Sequence, residues 1–153
     1  MIEAYDAQNT TGAAGYWVPL TLETVVIAVD RNQTDVPIAT WSDLRESGVS
    51  VSILDTDPER RMAAAALCYG LEGRDFSLDS AAELLEPLNA RGLLQLDDPA
   101  APIQICFDST AAARVKNGEN IEIVVPTEGT LSYVKGACCR TTHSNCRTVT
   151  SRH

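Results

Sequence analysis

One hundred and fifty-three residues, 44% of them hydrophobic but only 5% aromatic, suffice for one domain with an aliphatic core and argue against a disordered chain. The formal charge of −9, from 21 acidic and 12 basic side chains with no basic cluster, repels nucleic acid and anionic membrane surfaces. No apolar run approaches the length that spans a bilayer, and the opening MIEAYD has neither the basic nor the apolar region of a secretory signal.

In chain order, residues 1–15 end in a polar, glycine-rich stretch (AQNTTGAAG) and are expected to be flexible. Tyr16 and Trp17 lead into residues 23–29 (ETVVIAV), the strongest strand pattern of the first half. Thr40 is placed to cap a short helix over residues 41–46, and Gly48 stands where a helix-terminating glycine belongs. Residues 49–54 read as a short strand. Thr56 or Asp57 can then cap a helix over residues 58–69, with Pro58 in its first turn and Glu59 complementing the positive end of the dipole. Ala63–Ala66 give that helix a small-residue face suited to close packing on a sheet.

Ser77 or Asp79 starts the next helix, in which Ala81, Leu84, Leu85 and Leu88 recur at helical spacing, with a kink expected at Pro87 and a stop at Gly92. Residues 97–102 are a loop and residues 103–107 a strand. Asp108, Ser109 and Thr110 then cap a helix over residues 111–116 that Asn117 and Gly118 end. Residues 121–125 (IEIVV) read as a strand buried on both faces, Pro126 to Gly129 as a turn, and residues 130–134 as a second extended run. Strands alternating with helices predict an α/β lobe with a mainly parallel sheet flanked by helices.

The order of PLTLETVVIAVDRN, PIATWSDLRESGVSVSILD, the helix after TDPE, STAAARVKNGENIEIVVPTEGT and YVKG resembles the extracellular solute-binding proteins of ABC transporters. These have the two-lobed periplasmic-binding-protein fold of the second topological type. The resemblance spans residues 16–136. It implies a single solute-binding lobe with hinge strands, a missing companion lobe of the same protein, and a small-molecule solute held in the cleft between the two. It further implies a membrane permease as partner, an extracytoplasmic location (periplasmic or tethered to the cell surface), and no cofactor. The same lobe serves equally well as the extracellular sensor of a membrane-bound signalling protein. A small acidic α/β enzyme or regulatory domain unrelated to transport is a third reading.

In open α/β sheets ligands bind beyond the carboxyl ends of the strands, near helix N-termini. Thr56, Asp57 and Glu59 are therefore candidate ligand-binding residues, with ordinary helix capping as the competing role, and Ser109 and Thr110 stand likewise. Trp17 is a candidate for stacking on a ligand or for packing at the hinge; Glu128 and Thr130 lie on the return crossing, where turn formation competes. Asp57, Glu59 and Glu128 favour a cationic or metal-bearing solute, whereas Arg60 and a helix N-terminus favour an anion, so charge leaves the solute open.

No catalytic or metal site is expected. Cys68 and Cys106 read as small core residues, and no phosphate-binding loop, nucleophile elbow or carboxylate pair is recognisable. Residues 137–153 (ACCRTTHSNCRTVTSRH) hold three Arg, no acid, and three of the five Cys. Cys138, Cys139, His143 and Cys146 offer zinc ligands, but adjacent Cys lack the usual ligand spacing. Read one base earlier, Ala137 to Arg140 encode Leu, Met or Val, then Leu, then Ser or Pro when Arg140 has a CGN codon. These residues are expected to be a non-native or disordered tail arising from a frameshift or an artefact.

Overall fold

The computed structural model describes the backbone of residues 15–54 and 78–140 and the side chains of residues 20–54 and 82–132. Its elements are β1 (Gly15–Asp30), α1 (Trp41–Glu46), β2 (Val51–Ile53), α2 (Leu78–Ala90), β3 (Leu94–Leu96), β4 (Ile103–Phe107), α3 (Asp108–Lys116), β5 (Ile121–Val124) and β6 (Ser132–Arg140). The chain divides into two units. One comprises Met1–Leu22 with Val134–His153; the other is Glu23–Tyr133.

The strands lie in the order β3-β2-β4-β1-β5, and β6 pairs with β1 off this path. β2 runs parallel to β3 and β4, whereas β1 is antiparallel to β4 and β5. Four strands thus share one direction and β1 opposes them. Along this five-strand path the sheet is mixed, with only β1, the strand that enters the unit first, running against the others.

Burial explains the strand patterns. Val25 to Val29 are each at most 1% exposed because β1 has neighbours on both edges and cover on both faces, so it needs apolar side chains at every position. Its odd residues join Val51, Ile53, Ile103, Ile105 and Phe107 beneath Trp41 and Leu44 of α1 and Leu84 and Leu88 of α2. On the opposite face Val26, Ala28 and Cys106 meet Ala111 of α3, a smaller cluster that lets a helix approach closely. α3 carries the chain from β4 over β1 to β5.

Several expectations need correction. β5 is not buried on both faces: it lies at the sheet edge, with Ile123 38% and the following Val125 59% exposed, so an apolar run here signals an uncovered rim. α3 begins at Asp108 rather than Ala111, its N-cap is Phe107, and no side chain caps it. Asp108, Ser109 and Thr110 instead form its first turn. β1 starts at Gly15, eight residues before the strong pattern, and β3 went unforeseen because three residues (LQL) carry too little periodicity to register. α2 runs through Pro87 to Ala90 before Gly92 reverses the chain at φ 69°. β6 spans Ser132–Arg140 and so includes the first four residues of the expected tail. The helix foreseen over residues 58–69, with Cys68, and the remainder of the tail lie outside the described residues.

Candidate functional site

The carboxyl end of β4 lies beside the incoming half of β1, because the register pairs Val25 with Phe107. The next residues, Thr24 and Asp108, therefore meet. The Asp108 carboxylate accepts from the Thr24 amide at 3.1 Å and from the Ser109 amide at 2.8 Å. Ser109 Oγ donates to Glu23 Oε1 at 3.4 Å, and Thr24 Oγ1 pairs with Ser132 Oγ at 2.9 Å. A rim of hydroxyl and carboxylate groups thus surrounds the first turn of α3. The positive end of that helix already faces the carboxylate of Asp108.

The return crossing beside it is fastened from several directions. Thr130 Oγ1 donates to the Val25 carbonyl at 2.6 Å, and the Val25 amide donates to the Leu131 carbonyl at 3.0 Å. Glu128 reaches α1, where Oε2 accepts from the Trp41 amide at 2.5 Å and Oε1 from Ser42 Oγ at 2.9 Å. The Trp41 indole donates to the Gly129 carbonyl at 2.8 Å, and the Thr127 amide to the Ala39 carbonyl at 3.1 Å. Gly129 has φ 116°, a conformation that favours glycine. Thr40 caps α1 as expected: Thr40 Oγ1 accepts from the Asp43 amide while Asp43 accepts from Thr40 N, both halves of a capping box. The Ala39 amide, together with Thr40, holds the Asp43 carboxyl below its ordinary range against the opposing effect of burial.

A second polar network sits at the other end of the strands. Asp30 accepts from Gln33 Nε2 and the Asn32 amide, and Arg114 bridges Gln104 and Glu119. The Gln33 bond is the main reason the Asp30 carboxyl is lowered. This network satisfies the buried Gln104 and lies away from the carboxyl ends of the parallel strands.

Of the residues singled out from sequence, Ser109, Glu128 and Thr130 fall within this region and Thr110 is half-buried in the first turn of α3. Trp17 lies in β1, with its side chain outside the described set; Thr56, Asp57 and Glu59 are outside the described residues altogether. Glu23, Thr24 and Ser132 were not foreseen, and Asp108 was read only as a cap. Their meeting depends on separations of 84 and 108 residues, for which a single sequence carries no local signal. Among the described residues no group of His, Cys, Asp and Glu is placed to hold a metal ion, and no helix is long and apolar enough to cross a membrane.

A family of bacterial extracellular solute-binding proteins matches residues 1–148, nearly the whole chain. The chain belongs to this family. Its fold is that of solved solute-binding proteins. The spermidine/putrescine ABC-transporter substrate-binding protein PotD of Streptococcus pneumoniae is 19% identical with TM-score 0.58, covering 79% of this chain and 41% of that one. The sulfate-binding protein SubI of Mycobacterium tuberculosis is 16% identical with TM-score 0.64, covering 91% and 50%. A two-component system protein that mediates signal transduction is 18% identical with TM-score 0.58, covering 85% and 47%. The chain therefore spans half or less of the length of these structures. No curated protein matches it in sequence.

Proposed function

We propose that this chain is a ligand-binding lobe of an ABC-transporter solute-binding protein, holding a small solute between itself and a companion lobe outside the cytoplasm for delivery to a membrane permease. The observation that carries the reading is the juxtaposition of Glu23, Thr24, Asp108, Ser109 and Ser132 at the carboxyl ends of the parallel strands, in a chain of this family. The rim offers hydrogen bonds and charge, the chemistry of binding rather than of bond breaking. Ser109 and Thr110 belong to the proposed binding surface; Trp17, Thr56, Asp57 and Glu59 are carried as further proposed ligand contacts on the family resemblance alone, and Glu128 and Thr130 act by holding the crossing. The chain enters and leaves the second unit at Leu22–Glu23 and Tyr133–Val134, two crossings suited to a hinge.

Thermal-shift measurement of the two-lobed protein tests this, with spermidine and sulfate as the first arms because relatives are named for them. A solute that binds only the native state at about 100 times its dissociation constant adds about 2.7 kcal/mol of stability. A two-lobed protein whose melting temperature responds to no solute in a broad panel would overturn the reading. The likeness to a two-component system protein favours a second one, in which the same lobe reports its solute to a signalling partner. The gene's continuation into a membrane segment and kinase domain, rather than into a companion lobe alone, would decide for it.

A further inference from the structure

The outer rim of β5 is the exposed apolar feature that the solute reading does not use. Ile123 is 38% and Val125 59% exposed, and Val115 of α3, which packs beside β5, is 44% exposed. The register defines which backbone groups face outward. The Arg31 amide donates to the Asn120 carbonyl, so Asn120, Glu122 and Val124 turn their amides and carbonyls toward β1. Ile121, Ile123 and Val125 turn theirs to the open edge, where none of them has a partner among the described residues.

Natural edge strands are commonly blunted by an exposed charge, a proline or a bulge. Here the only charge is Glu122, and Arg31 neutralises it at 2.5 Å. Pro126 follows only after the last outward pair.

We propose that this edge pairs with β5 of a second copy of the same chain, antiparallel about Ile123. The segment is self-complementary in that arrangement. Ile123 meets Ile123 of the second copy, and Ile121 meets its Val125, so all three outward residues find backbone partners of matching shape. Glu122 falls opposite Val124 of the second copy, and no two carboxylates are directly opposed. The two exposed Val115 side chains extend the apolar contact from strand to helix.

Sedimentation of the full chain at physiological ionic strength, which screens its charge of −9, and under reducing conditions, which keep its cysteines from cross-linking, tests the pairing. The expected result is a monomer–dimer equilibrium that Ile123→Lys weakens by at least about tenfold, while Leu96→Lys on the opposite edge strand β3 leaves it unchanged. Amide exchange of the unmodified chain supplies a readout free of folding effects: protection of the Ile121 and Ile123 amides should rise with protein concentration. A monomer throughout the micromolar range overturns the proposal. So does a dimer indifferent to Ile123→Lys, or protection of these amides that persists on dilution, which would mean another part of the chain covers the edge.

Discussion

Glu128 shows how one carboxylate can join segments remote in sequence. It completes the first turn of α1 from 87 residues away, accepting from the Trp41 amide, and holds Ser42 with its other oxygen. Glu128→Ala should destabilise the chain by about 1–2 kcal/mol in urea denaturation, through loss of a charged acceptor at a helix N-terminus. Glu128→Gln should retain part of that stability. Trp41 is fully buried and its indole anchors Gly129, so Trp41→Ala should cost about 3–5 kcal/mol, and Trp41→Phe appreciably less. Asp43 ties stability to pH. Its folded-state carboxyl lies below the ordinary value of 3.8, so its contribution is complete above that value and disappears as the pH falls through the lower folded one. Asp30 acts in the same direction, through Gln33 first. Asp43→Asn should flatten the acid limb of a stability–pH curve without changing its slope near neutrality.

At the scale of elements, α3 depends on smallness. Ala111 is fully buried against Val26, Ala28 and Cys106, so Ala111→Leu should cost about 1–3 kcal/mol by overpacking, measurable as a fall in the urea midpoint. Ala112 is exposed, and the same change there should be tolerated. Legibility in sequence follows the same logic. β4 was readable to the residue, because an isolated apolar run between a proline-rich loop and a helix signal admits few interpretations. The cap of α1 was equally plain, since Thr40 and its helix are adjacent in the chain. β5 was recognisable as a strand but not as an edge. Its apolar run resembles that of β1, and only neighbours contributed by other segments distinguish a central strand from a rim. Ser109 and Thr110 were misread as capping residues because small polar side chains suit an N-cap and a first turn alike.

For the whole molecule, the division at Leu22–Glu23 and Tyr133–Val134 makes residues 23–133 the compact body that owns both core clusters. A protein containing residues 23–133 alone should unfold cooperatively in urea, with coincident transitions by circular dichroism and Trp41 fluorescence; two separated transitions would contradict it. The α/β class, the cap of α1 and the buried strands β1 and β4 were determined by sequence alone, because burial pattern and capping act over a few neighbouring residues. Tertiary structure decided the opposed direction of β1, the open edge at β5, and the meeting of Thr24 with Asp108 and Ser132. Each of these depends on which distant backbone pairs with which, and a local pattern of side chains leaves that pairing undetermined.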